Sequence, residues 1–398
     1  MSSFTPSASA ALPASASVPA VPSAKIYFPN LDGLRFLCFF SVFLFHAFST
    51  DSADVKANPV WNFVRIDLFG NGNLGVNFFF VLSGYLITTL LLAEKELTGR
   101  IDIGHFYLRR VLRIWPLFYA CVVFGFVVFP YLKQALGQVP DEAANPWTFV
   151  FFVNNFDLLR VNPDSSVLSV LWSVAIEEQF YLFWPLIVAF TPRRGLWIVF
   201  ALIIGGSLVF RALNVHNHMV LEHHTLSCIG DMATGGVAAL LTLHAHQPFR
   251  QWLAGAGRYF SAGLYAVLLG LFLFRDEIFE NSSALPFGRL VCAIVFALVI
   301  LEQNFVTRSL FKMHNFPRLS RLGQFTYGLY CLHFIGLLVA LVIFNRFSPV
   351  TGIWRDILLE PALALAISVA IALISYYFYE SPFLKLKDKF AVITKGGK

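Results

Sequence analysis

The chain has 398 residues, of which 57% are hydrophobic, 16% aromatic (44 of them Phe) and only 13% charged, with a formal net charge of +6. Soluble domains carry about 25% charged residues, so this composition excludes an ordinary water-soluble enzyme and reads as a polytopic helical membrane protein. The excess of 29 Lys and Arg over 23 Asp and Glu is modest and gives no reason to invoke nucleic acid as a partner.

Residues 1–24 are mostly Ala, Ser and Pro. Such a stretch buries too little apolar surface to fold and reads as a disordered tail, and it lacks the basic start and apolar core of a signal peptide. Ten apolar runs follow, over 31–50, 73–93, 111–131, 167–190, 196–213, 225–244, 258–274, 287–306, 325–345 and 357–379, each long enough to span. The segment 147–160 is aromatic but short and is interrupted by Asn154, Asn155 and Asp157, so an interfacial or re-entrant piece is expected there. With the N-terminus inside, most Lys and Arg fall in inner loops and tails, which supports ten spans with both termini cytoplasmic. The expected fold is an all-α integral membrane bundle of about ten transmembrane helices, with the membrane domain over 25–383 and a basic cytoplasmic tail over 384–398.

The polar residues inside these runs carry the chemistry. Arg35 and His46 lie eleven residues apart in the first run. That is about three helical turns, so the two share a face about 16 Å apart along the axis, and Asp32 lies one turn before Arg35 on roughly the same face. A histidine so placed needs a partner or a function. In the third run Arg110 and Arg113 share a face, either as an anchor to anionic lipid headgroups or as a fork for a phosphate-bearing ligand. Glu177 and Glu178 are adjacent carboxylates in the fourth run, each costing about 2.5–3.5 kcal/mol to insert. Neighbours on a helix diverge by about 100°, so one is expected to face a site and the other a structural cation or a watery vestibule; an internal ion pair is the plainer reading. Asp231 in the sixth run needs a partner. His333, with Tyr330 and Tyr327 one and two turns before it, is packing glue or a further site residue. His223 and His224 suit an interface, and Glu380 suits an interfacial cap.

The chain has no G-x-S-x-G elbow, Walker A loop or H-E-x-x-H motif, and no serine or cysteine in an activating arrangement. Cys38, Cys121, Cys228, Cys292 and Cys331 all fall in apolar runs with neither metal spacing nor a disulfide pattern, so no metal site is expected. The reagent that remains is a buried histidine, suited to general-base work.

Six strings in order resemble the membrane acyltransferase-3 family, whose ten-helix members acylate surface glycans. LDGLRFLCFFSVFLFH carries the Arg–ten residues–His pattern through Arg35 and His46; GVNFFFVLSGYLIT carries Ser83 and Gly84; FYLRRVLRIWPLFY carries the Arg-x-x-Arg element through Arg110 and Arg113. LWSVAIEEQFYLFWP, LGQFTYGLYCLHF and YYFYESPFLKL complete the series. The resemblance runs from about Leu31 to Phe383. It implies a membrane-bound O-acyltransferase, most simply an O-acetyltransferase, in the cell inner membrane, with acyl-CoA (acetyl-CoA) as donor substrate, no bound cofactor, and a glycan or glycolipid acceptor. Arg110 and Arg113 would hold the CoA phosphates, with Arg35, Asp32, Ser83, His333 and Tyr327 as further binding residues. His46 would be the general base, with Glu178 or Glu177 orienting it or the acceptor. Two positions depart from the pattern: Asn77 stands where Asp is frequent, and Ile229 where Arg often precedes the acid at Asp231. Many relatives append an outer hydrolase-like domain, and its role here would fall to the chain alone or to a separate periplasmic partner. The different-class alternative is a polytopic transporter whose buried ionisable residues form a proton or substrate path, which inverted repeats would favour. No convincing repeat relates 31–190 to 196–379.

Overall fold

Local signals start and stop the helices that build the site. Gly99 adopts φ +76° and ends the helix α2 (Leu74–Thr98), and Asp102 then caps the next helix, α3 (Ile103–Val123), by accepting the His105 N–H at 2.9 Å. A left-handed glycine and an aspartate N-cap are the ordinary punctuation of such a turn, the cap contributing about 1 kcal/mol. Glu94 fastens the hairpin from above, accepting the Asp102 backbone N–H at 2.8 Å and Arg109 Nη2 at 3.1 Å. The helix α3 thus begins eight residues before the expected run and carries Arg109 and Arg110 as well as Arg113.

The computed structural model describes residues 26–50, 52–243, 247–280, 282–348 and 350–390. Every regular element among them is helical. Besides α2 and α3, the long helices are α1 (Pro29–Ala47), α4 (Leu171–Phe190), α5 (Arg193–Leu213), α6 (Thr225–Leu243), α7 (Arg258–Phe279), α8 (Leu285–Phe305), α9 (Thr326–Phe347) and α10 (Glu360–Ile374), and a short α11 (Ser381–Asp388) follows. Nine helices among the described residues are long and apolar enough to span, which makes this a multi-pass membrane protein. The tenth expected span is α7, which passes the same test only together with Pro248–Gly255, across an 89° bend. The expected disordered tail 1–24 and residues 391–398 of the basic tail lie outside the described residues, whereas 384–388 belong to α11.

Segment 147–160 does not span. It forms two short helices, Pro146–Val150 and Asn154–Asp157, joined through Phe152 at φ +54°. A bulky residue in the left-handed region is costly and has to be held. Gln179 of α4 supplies the hold, donating to the Phe152 carbonyl at 2.7 Å and to Asn155 Oδ1 at 2.9 Å, while the Phe152 ring packs on Phe118 with centroids 4.4 Å apart.

The helices α2 and α6 cross in close backbone contact. A Cβ added at Gly84 would lie 2.0 Å from the Met232 carbonyl oxygen, and one at Gly235 would lie 1.9 Å from that of Val81. Only glycine permits this approach, and close backbone packing is what holds helices together where lipid supplies no hydrophobic drive. Glu380 is buried instead of capping at an interface, and accepts the Ser375 hydroxyl at 2.8 Å. All five cysteines are buried and unpaired.

Candidate active site

A cavity of about 540 Å³ opens among α1, α2, α3, α4, α9 and α11. That size falls in the range of ligand pockets. Its wall gathers Asp32, Arg35, Ser83, Arg110, Arg113, Glu177 and Tyr327, residues spread over nearly 300 positions of the chain. At one end it is strongly basic, with Arg35, Arg109, Arg110, Arg113 and Lys387. Three of these cations are answered by acids: Arg35 Nη1 meets Asp32 Oδ1 at 2.5 Å, Arg109 meets Glu94, and Lys387 Nζ meets Asp388 at 3.1 Å. Asp32 also accepts the Tyr27 hydroxyl at 3.0 Å. Among the described residues, Arg110 and Arg113 make no ion pair. The Arg110 guanidinium lies 5.6 Å from the ring centroids of both Phe106 and Tyr181, and its buried Nε has no hydrogen-bond partner. Two guanidiniums without an ion pair on one helical face of a cavity suit an anion with several oxygens.

Deeper in, Ser83 and Tyr181 share a short hydroxyl–hydroxyl bond, and Tyr181 donates to Glu177 Oε2 at 3.1 Å. Glu178 points elsewhere and accepts Trp115 Nε1–H at 2.9 Å. The two glutamates diverge as helix geometry requires, but Glu178 takes a neutral indole donor in place of the expected cation or vestibule. Neither is a hydrogen-bond partner of His46.

His46 and His333 lie outside the cavity lining and bond to each other, His46 Nδ1 to His333 Nε2, at 3.0 Å. His333 is fully buried, and its Nδ1 donates to the Tyr330 carbonyl at 2.7 Å. Tyr330 belongs to both places: its side chain lines the cavity and bonds Ser173 at 2.7 Å, while its carbonyl holds His333. Because α1 ends at Ala47, His46 sits in the last turn, farther toward the helix end than the expected run to residue 50 implied. His46 therefore sits at the end of α1 away from Asp32 and Arg35.

Residues 28–380 match the profile of the acyltransferase domain of the acyltransferase-3 family. The chain belongs to the acyltransferase-3 family. It is 36% identical over 176 residues to the O-acetyltransferase OatA of Staphylococcus aureus (strain NCTC 8325 / PS 47), covering 42% of this chain and 26% of that protein. It is 28% identical over 383 residues to the peptidoglycan O-acetyltransferase OatA of Listeria monocytogenes, covering 91% of this chain and 56% of that protein. The chain thus spans about half the length, or less, of the curated relatives it matches. No solved structure matches it significantly.

Tyr181 and Arg109 of this acyltransferase-3 domain, and Tyr27 and Lys387 just outside its matched residues, join the cavity without having stood out in the sequence. Tyr181 is the one with a readable signal, since it lies four residues after Glu177 on the same helical face. Asp231 finds its cation on another helix: Arg289 Nε of α8 donates to Asp231 Oδ2 at 2.8 Å, which supplies the charge absent at Ile229. His223 packs its ring on Trp172, with centroids 4.6 Å apart.

Proposed function

We propose that the chain is an O-acetyltransferase of the cell membrane, moving an acetyl group from cytoplasmic acetyl-CoA to a sugar hydroxyl of a surface glycan such as peptidoglycan. The observation that carries this reading is the basic cavity whose Arg110 and Arg113 make no ion pair among the described residues, in a chain of the acyltransferase-3 family whose relatives are named O-acetyltransferases. The CoA phosphates would take the two arginines, with Arg35 and Lys387 at the same basic end. The thioester arm would run along the wall past Ser83, Tyr181 and Tyr327 toward Tyr330. His46 then accepts the proton of the attacking hydroxyl, the new C–O bond forms as the C–S bond breaks, and the CoA thiolate leaves and takes up that proton. Family membership leaves the transport reading without an observation of its own.

Sealed vesicles bearing the chain, given radiolabelled acetyl-CoA and a glycan acceptor, test the donor site. The Arg110→Ala/Arg113→Ala variant is expected to raise KM for acetyl-CoA at least about tenfold, since each charge-assisted bond to phosphate contributes about 1.5–3 kcal/mol. An unchanged KM at matched expression would remove the arginines from the donor site.

A further inference from the structure

His333 is fully buried and lies outside the lining of the cavity described above, yet it makes two directed bonds, and together they determine where protons sit in this part of the molecule. A backbone carbonyl can only accept, so the 2.7 Å contact between His333 Nδ1 and the Tyr330 carbonyl places a hydrogen on Nδ1. In a neutral imidazole the other nitrogen is then bare. That bare Nε2 faces His46 Nδ1 at 3.0 Å, so His46 must donate there. The two ring planes differ by 22° with centroids 5.2 Å apart, an arrangement compatible with an N–H···N bond. The opposite polarity would need a doubly protonated, fully buried His333 ringed by Phe39, Phe43 and Phe334, a charge those apolar faces cannot solvate.

We propose that His333 is a positioning residue which, through the Tyr330 carbonyl, holds His46 as the Nδ1-protonated tautomer and leaves His46 Nε2 bare as the proton acceptor. The proposal rests on His46 being the base of the proposed transfer. It gives the orienting role to a second histidine on α9, in place of the glutamates of α4, whose bonds go to Tyr181 and Trp115. It also ties base to cavity, because the residue whose carbonyl sets the tautomer is the one whose side chain lines the donor pocket. The same contact accounts for a fully buried histidine that touches no ligand site.

Two measurements test it. The first is ¹⁵N NMR of the full chain labelled at histidine, in lipid at neutral pH, with His46 assigned by the signal lost in His46→Ala. His46 is expected to show a protonated Nδ1 and a bare Nε2, and to become a tautomer mixture in His333→Leu. A proton on Nε2 in the wild type would overturn the proposal. The second is acetyl transfer by His333→Leu and His333→Gln. Leucine removes the acceptor, and kcat is expected to fall at least about tenfold with KM for acetyl-CoA unchanged, since a misplaced imidazole proton disables a general base. The Gln side-chain carbonyl can still accept from His46, so His333→Gln is expected to recover most of kcat. Equal losses in the two variants at equal thermal stability, or a loss seen in KM alone, would overturn it. A wild type without any transfer would instead sink the transferase reading, while the spectrum still decides the tautomer.

Discussion

Asp231 is a carboxylate in an apolar helix, and the chain supplies its counter-ion from Arg289, 58 residues away. Arg211, Glu222 and Arg275 complete the cluster, with Arg275 Nη2 to Glu222 Oε1 at 3.1 Å and Arg211 Nη1 to Ser227 Oγ at 2.7 Å. Removing one member of a buried pair strands the other and costs about 3–5 kcal/mol. Arg289→Met is therefore expected to lower the melting temperature in detergent sharply, and Asp231→Asn to lower it less, because the amide still accepts from the guanidinium; equal melting of all three proteins would contradict this. The need at Asp231 was legible in the sequence, because a charge in an apolar run stands out. Its answer was not, because Arg289 has no local mate and the pairing is made only when α6 packs on α8. The same division holds in the cavity. Arg35, Arg110 and Arg113 were visible as charges in or beside apolar strings and Ser83 only through the family resemblance, whereas Tyr181 looks like any membrane tyrosine and Lys387 like any basic anchor.

At the scale of elements, the crossing of α2 and α6 fixes one wall of the cavity, since Ser83 sits beside Gly84. Gly235→Leu would force a side chain into the Val81 carbonyl and push the helices apart, at a cost of about 1–3 kcal/mol for overpacking. The expected outcome is reduced thermal stability together with weakened acetyl-CoA binding, read on the same purified protein. A variant that melts and binds like the wild type would show that the crossing does not shape the pocket. Helix existence was legible from apolar run length throughout, and the interruption at 147–160 was legible from its asparagines. Several helix ends, such as those of α6, α8 and α9, fall close to the expected runs, whereas α3 starts eight residues early, where the Gly99 turn and the Asp102 cap place it, and the 89° bend before α7 was not expected.

For the whole molecule, the cavity is closed at its basic end by pieces from opposite ends of the described chain. Tyr27 reaches in just ahead of α1, and Lys387 and Asp388 reach in from α11, whose far side is tied down where Arg109 Nη1 donates to the Phe390 carbonyl at 2.8 Å. On the proposed reading, the Lys387 ammonium at this basic end makes α11 part of the donor site. Lys387→Ala is accordingly expected to raise KM for acetyl-CoA by about three- to tenfold with kcat little changed, a smaller effect than that of the arginine pair because Lys387 is already shared with Asp388. An unaltered KM would make α11 a surface anchor alone.

The most direct test of the acyl-transfer claim is the single-turnover appearance of labelled acetyl-glycan and free CoA from acetyl-CoA in sealed vesicles, comparing wild type with His46→Ala at matched expression. Loss of a general base removes about 10²- to 10⁴-fold, so wild type is expected to form both products in equal amounts while His46→Ala forms neither at a comparable rate, with donor binding intact. Product formation by His46→Ala at the wild-type rate would contradict the assignment of His46 as the base.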